Sequence, residues 1–332
     1  MNVHPKRSRS AASRPASARQ RFSVTPTRPY SLPLTAERYA RFPDPVDRFD
    51  GRTYRRLLAV GRGIVLVTVE QKGGVTNPKL GITLEGPGAD SARAREATEH
   101  LVNRALGAGS NLALFYRAAR IDPLLAPLVR RFRGLRIAGY PSLWEALVTA
   151  VLSQQVNLSL AFGIRAHLAT AFGRKRTVRG ETYFAFPAPD EIAKAGERGL
   201  EGLRMSSNKI GTISRLAKGF SSGELTEEEI ASLPEEAAIE RLTAIQGIGR
   251  WTAETALLRG LARADAFPAG DLGIVKYLAE GLFEHGRRAS ESEMRLYAER
   301  WRPWRGLALV YSWAELARRT RAETSNRITP EA

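Results

Sequence analysis

The sequence predicts an α+β fold: a small N-terminal antiparallel sheet with helices on it, then an all-α domain. Three observations predict it. Two β-rich runs, residues 64–69 (Ile-Val-Leu-Val-Thr-Val) and 80–84 (Leu-Gly-Ile-Thr-Leu), flank the Gly73-Gly74 turn. From Pro141 onward, apolar residues recur at three and four positions almost to the end. The chain has 332 residues, 43% of them hydrophobic, which supplies cores for two domains of ~100–200 residues each.

In chain order, residues 1–29 hold seven Lys/Arg and no acid, with Ser, Ala and Pro between them and Phe22 the one large aromatic. Such a segment is expected to be a disordered basic tail. Its Arg/Ser-rich, acid-free character also fits an organellar transit peptide, although no clear amphipathic helix is visible. Residues 30–136 form the expected α/β domain. After the two strands, residues 90–106 read as a helix with Ala94, Ala97, Leu101 and Ala105 on one face and Asp90 or Ser91 as cap, followed by a helix near 112–119. A boundary falls near 133–140. Residues 137–318 form the helical domain, with helices expected at 144–152, 158–172, 190–195, 209–220, 226–233, 235–245, 250–261, 272–283, 291–301 and 304–318. No repeat of 20–50 residues is visible, which argues against a solenoid. Residues 319–332 read as a polar, frayed tail.

The net charge is +17, from 51 Lys+Arg and 34 Asp+Glu. Without the tail, 44 basic residues still exceed 34 acidic ones, so the folded part is basic in its own right. That balance points first to nucleic acid. Absence of cysteine excludes disulfides, thiolate zinc sites, iron–sulfur clusters and cysteine nucleophiles. The four histidines, His4, His100, His167 and His285, share no metal-ligand spacing. No apolar run reaches the ~18–20 residues of a membrane span.

Two segments carry chemistry. In residues 242–253, Leu-Thr-Ala-Ile-Gln-Gly-Ile-Gly-Arg-Trp-Thr-Ala, one helix ends at Ile245 and another begins near Arg250. Gly247 and Gly249 permit a tight hairpin with positive φ values. The hairpin, within residues 236–261, would aim free amides outward from a helix N-terminus and so make a phosphate seat without side-chain charge. A plain helix–turn–helix connection is the alternative. About twenty residues on, Asp271 stands at the expected start of another helix. An N-cap is the plain reading. A carboxylate held there is also rigid and anionic, suited to stabilising positive charge on a sugar ring as a glycosidic bond breaks.

Together these residues resemble the helix-hairpin-helix superfamily of DNA glycosylases, nearest the 3-methyladenine DNA glycosylase II type. The resemblance rests on the Gln246 to Ala253 hairpin, the segment 267–276 with Asp271, the run Arg300-Trp301-Arg302-Pro303-Trp304-Arg305, and Ala150-Val151-Leu152-Ser153-Gln154-Gln155-Val156. It implies that the N-terminal domain, with Asp50-Gly51-Arg52-Thr53-Tyr54-Arg55-Arg56, has the TATA-box-binding-protein-like fold of that family's extra domain. By this resemblance Asp271 matches the essential aspartate. Trp251 stands where bifunctional relatives carry a nucleophilic lysine; indole cannot form a Schiff base, so hydrolysis without lyase chemistry is expected. Trp313 matches a pocket wall. Thr255 and Leu272 replace residues of the best-known type, aromatic at the position of Thr255, so the substrate range is expected to differ. Gln155 aligns with the residue that fills the duplex when a nucleotide rotates out. Gly247, Ile248, Gly249, Arg250 and Thr252 would bind DNA, and the carbonyls of Thr243, Ile245 and Ile248 would hold the family's monovalent cation. No other cofactor is implied.

The expected function is monofunctional hydrolysis of the N-glycosidic bond of alkylated bases (3-methyladenine or 7-methylguanine type) in duplex DNA by base flipping, the first step of base excision repair. Cationic bases would stack on Trp251 and Trp313. Core packing is the plain role for both tryptophans. The alternatives are a non-catalytic binder of damaged DNA, a glycosylase for oxidised or deaminated bases, and a general basic DNA-binding protein. The expected partner is damaged double-stranded DNA, bound by a monomer with no membrane association. The expected location is the bacterial cytoplasm at the nucleoid, with an organelle as the alternative that the tail leaves open.

Overall fold

The computed structural model describes residues 18–42, 44–271 and 289–328. Strands β1 (Arg19–Val24), β2 (Asp47–Phe49), β3 (Thr53–Val60), β4 (Gly63–Lys72) and β5 (Lys79–Glu85) pair antiparallel in the order β1-β5-β4-β3-β2. Helices α1 (Leu32–Arg41) and α2 (Ala92–Arg104) complete this domain, capped by Ser31 and Ser91. Its core gathers Tyr30, Tyr54, Val67, Val69, Ile82 and Leu101.

β1 corrects the expected tail. Residues 19–24 alternate Arg19, Arg21 and Ser23 on the exposed face with Gln20, Phe22 and Val24 facing in, paired in register with β5. Period-two alternation makes an edge strand, and its outward arginines guard the edge against further pairing. β3 also departs from expectation, because two arginines interrupt its apolar pattern. Arg56 is nevertheless buried, donating to Asp47 at 2.7 Å and Glu145 at 2.5 Å.

The second domain is built from α3 (Ala113–Ala119), α4 (Leu125–Arg131), α5 (Leu143–Ser153), α6 (Leu158–Phe172), α7 (Pro189–Leu200), α8 (Ser207–Ser222), α9 (Glu227–Ser232), α10 (Glu235–Thr243), α11 (Arg250–Gly260), α12 (Glu291–Ala298) and α13 (Arg305–Ile328). It is not all-helical. A hairpin of β6 (Lys175–Val178) and β7 (Glu181–Phe184) follows α6. Phe115, Leu128, Phe132 and Leu135 pack into the helical core and not against the sheet, so residues 112–137 belong structurally with the second domain. α13 continues through the expected polar tail, where Glu315 pairs with Arg318 and Arg319 one turn on. The helix expected at 272–283 lies outside the described residues.

The domains are joined by a buried ion cluster. Arg165 on α6 reaches Asp44, Asp47 and Glu145, while Arg56 bonds Asp47 and Glu145. All five side chains are almost fully enclosed. This cluster fixes α1 and the sheet against α5 and α6, which sets the width of the space between them. Among the described residues no helix is long and apolar enough to cross a membrane.

Candidate active site and nucleic-acid groove

The hairpin joins α10 to α11. Gly247 has φ +95, whereas Gly249 is extended at φ −90, so one glycine and not two needs the left-handed region. Gly247 is also crowded: a Cβ there would lie 1.9 Å from Thr212 Oγ1. Ile248 is buried and donates its amide to the Ile245 carbonyl at 3.0 Å. Three side chains brace the loop from outside. Arg215 Nη2 donates to the Gln246 carbonyl at 3.0 Å, as does Thr212 Oγ1 at 3.4 Å. Gln154 Nε2 donates to both the Gly247 carbonyl and Thr252 Oγ1 at 2.9 Å. Sequence reasoning missed Gln154, Thr212 and Arg215 as braces; no local pattern marks a side chain that bonds a loop more than thirty residues away.

The first turn of α11 has no side-chain cap, unlike α5, α6 and α8, whose Ser142, Asn157 and Ser206 accept first-turn amides. Its N-cap and first turn, at Gly249, Trp251 and Thr252, border an open groove of about 1350 Å³ also lined by residues 153–158, residues 246–248, Asn208, Lys209, Arg215 and Asp271. A helix N-terminus so presented binds anions. Arg250 itself is not in the groove's lining, and its guanidinium is held by Glu236 at 2.7 Å and Glu254 at 2.9 Å. The Thr252 side chain is buried under Gln154. Gln155 stands exposed at the end of α5 with φ +54, a left-handed geometry that lifts it out of the helix into the groove.

Asp271 lines the same groove as Gln155. It closes a turn in which its amide donates to the Pro268 carbonyl at 3.0 Å. Trp313 Nε1, on α13, donates to Asp271 Oδ1 at 3.2 Å. The N-cap role expected for Asp271 and the position of Leu272 lie outside the described residues. The supply line to this turn is ionic. Arg305 binds Asp265 through Nε at 3.0 Å and Nη2 at 2.8 Å. Gly306 lets the chain approach, since a Cβ there would lie 2.5 Å from the Ala266 carbonyl. Arg295 bonds Glu254 at 2.7 Å and the Phe267 carbonyl at 3.3 Å. The run from Arg300 to Arg305 therefore anchors the turn that carries Asp271.

Behind Asp271 opens a cavity of about 190 Å³ between the two domains. α11 supplies Trp251, Thr255 and Arg259 to its wall, α13 supplies Trp313, and α1 supplies Arg38 and Arg41. Trp251, Asp271 and Trp313 line both the groove and the cavity and so form the threshold between them. The cavity differs from expectation in charge. Arg259 sits 4.6 Å over the Trp313 ring and donates to the Ala138 carbonyl at 2.5 Å. One indole face is therefore already covered by the chain's own cation. Burial pulls the Arg259 guanidinium down to about 9, and Arg38 repels it further, while Tyr140 and Asp271 act in its favour. Arg38 and Arg259 were missed because they lie in segments with no motif and converge only when the domains meet.

The described residues include no cluster of His, Asp or Glu fit to hold a metal ion. The hairpin carbonyls of Thr243, Ile245 and Ile248 suit a monovalent cation in chemistry. The Ile245 carbonyl already accepts the Ile248 amide and has one lone pair left.

The model of the HhH-GPD superfamily base excision DNA repair protein family matches residues 148–304. The chain is 34% identical over 207 residues to the DNA-3-methyladenine glycosylase of Bacillus subtilis (strain 168), covering 62% of this chain and 68% of that one. It is 32% identical over 180 residues to DNA-3-methyladenine glycosylase 2 of Escherichia coli (strain K12), covering 54% of this chain and 60% of that one. The solved 3-methyladenine DNA glycosylase from Archaeoglobus fulgidus superposes with a TM-score of 0.76 at 27% identity, over 89% of this chain and 98% of that one. The chain belongs to the HhH-GPD superfamily of base excision DNA repair proteins.

Proposed function

We propose that the protein is a monofunctional DNA glycosylase that hydrolyses the N-glycosidic bond of alkylated bases in duplex DNA. The observation that carries this reading is the position of Asp271, at the threshold between a groove sized for a strand and a cavity sized for a base. The names of the Bacillus subtilis and Escherichia coli relatives support the alkylated-base class.

Duplex phosphates dock on the free amides at the start of α11, with the hairpin held rigid by Gln154, Thr212 and Arg215. Gln155 enters the stack and fills the space of the nucleotide that rotates out. The base passes Trp251 and Trp313 into the cavity. The C1′–N bond breaks with its electron pair on the departing base, and positive charge grows on the sugar. Asp271, oriented by the Trp313 N–H, faces that charge and stabilises it; water then adds to C1′ and loses its proton to the surrounding solvent. Trp251 offers no amine, so no Schiff base forms and the strand stays intact. The carbonyls of Thr243, Ile245 and Ile248 would hold a monovalent cation, whose charge would favour phosphate at the hairpin. The protein would act as a monomer on damaged duplex, wherever the cell keeps its DNA.

A panel of duplexes carrying single modified bases tests this reading, scored for free base and for strand breaks without alkali. Free base from alkylated duplexes with no breaks is expected. Tight binding with no release would leave a damage binder in its place, and prompt strand breaks would refute the argument from Trp251.

A further inference from the structure

We propose that Gln154 couples the hairpin to Gln155, so that seating duplex phosphate on the hairpin sets the entry of Gln155 into the base stack. Gln154 is a positioning residue that acts through its neighbour. The proposal rests on the glycosylase reading and adds the link between docking and extrusion.

Gln154 is the C-cap of α5, with φ −61 and ψ 128, and it lines the groove. A side-chain amide nitrogen has two hydrogens to give. Both are committed here: Nε2 donates to the Gly247 carbonyl and to Thr252 Oγ1, each at 2.9 Å. These two acceptors bracket the segment that carries the glycine turn into α11. Gly247 is the hairpin residue with φ +95, and Thr252 is the third residue of α11, with its side chain buried. The residue after Gln154 is Gln155, exposed and at φ +54. A side chain held in the left-handed region persists only where its surroundings impose it. The two bonds of Gln154 lie one residue away and tie this geometry to the hairpin.

α8 grips the same two elements from one face. Lys209 Nζ donates to the Leu152 carbonyl at 2.9 Å, near the end of α5. Farther along α8, Thr212 Oγ1 reaches the Gln246 carbonyl at 3.4 Å and Arg215 Nη2 reaches it at 3.0 Å. Helix residues three apart are surface neighbours, so 209, 212 and 215 form one row. α8 therefore fixes where α5 ends and where the hairpin turns, and Gln154 joins the two directly. A duplex seated on the hairpin is thereby held at a set depth against Gln155. Without the link, Gln155 is free to leave its left-handed conformation, while Thr212 and Arg215 still support the hairpin. Docking then survives and extrusion slows.

The test uses a duplex with one 7-methylguanine and an adjacent 2-aminopurine, whose fluorescence rises on unstacking. Gln154→Met keeps the length of the side chain and donates nothing. Its expected signature is a split: affinity for intact duplex within about twofold of wild type, with unstacking and single-turnover release each slower by about tenfold or more. A residue that merely props the hairpin would give the same loss whatever stands at position 155. In a Gln155→Ala background, Gln154→Met is instead expected to change unstacking by less than about twofold. Thr252→Val removes one acceptor at similar shape and is expected to move the same quantities by a smaller factor. It carries the comparison if the Gln154 variant does not fold, which thermal melting checks. Wild-type unstacking in both variants, loss of intact-duplex affinity in step with unstacking, or an equal loss in the Gln155→Ala background overturns the proposal. So does a wild type that never unstacks the duplex. A wild type that unstacks it but releases no base removes the glycosylase reading, and the fluorescence comparison alone then decides the coupling.

Discussion

Asp271 owes its place to contacts that bracket it. Its own turn aims the carboxyl at the threshold, and the Trp313 N–H at 3.2 Å holds one oxygen. Trp313→Phe keeps a ring against Arg259 and removes that donor. Single-turnover base release should fall about tenfold, the order of one hydrogen bond to a charged group, with duplex binding retained. An unchanged rate would mean that Trp313 only packs. The aspartate was legible in the sequence because its motif is local: a Gly-Asp pair shortly after a Gly-x-Gly hairpin. Arg38 and Arg259 were not, because a basic residue in an apolar helix reads as a solvated face until the opposite domain is seen covering it. Arg250 is the converse, a basic residue beside the motif whose charge Glu236 and Glu254 already neutralise.

At the scale of elements, the hairpin's geometry is over-determined at Gly247. Gly247→Ala would demand an unfavourable φ and place a methyl group against Thr212, costing about 1–3 kcal/mol. Chemical denaturation checks the stability, and a binding titration at several salt concentrations checks the phosphate seat. Both should suffer together; full binding by a folded variant would place the phosphate elsewhere. α13 carries a separate signature. Bonds from Arg318, against burial, and then from Arg131 and Arg319, hold the Glu315 carboxyl down to about 2 from its ordinary 4.5. A carboxyl held lower in the folded state contributes stability above its unfolded value and loses it as the pH falls through the folded one. Acid unfolding should therefore steepen between about 4.5 and 2, and Glu315→Gln should flatten that limb. Helical periodicity made α5, α6, α11 and the start of α13 legible. β1 escaped because its arginines outweighed an alternation that was present, and β3 because a buried Arg–carboxylate pair breaks the apolar pattern that marks a strand.

At the scale of the whole molecule, the cavity exists because two domains meet at a fixed distance. The cluster of Arg56, Arg165, Asp44, Asp47 and Glu145 sets that distance, and no single segment of sequence reveals it. Removing one member leaves buried charge uncompensated: Arg165→Met should cost about 3–5 kcal/mol in guanidinium unfolding, far more than loss of a surface pair. A loss below 1 kcal/mol would show that the cluster does not hold the domains together. The α+β order and the helical majority were legible from patterning. The assignment of residues 112–137 was not, since an amphipathic helix does not announce which of two cores it will join. The central claim is that Asp271 faces the sugar of a nucleotide whose base occupies the cavity between the domains. Single-turnover base release by Asp271→Asn, measured beside its affinity for the same alkylated duplex, tests it most directly. The account predicts a rate lower by about 10²–10³ with affinity retained, as for loss of one electrostatic stabiliser. Release at the wild-type rate would contradict it.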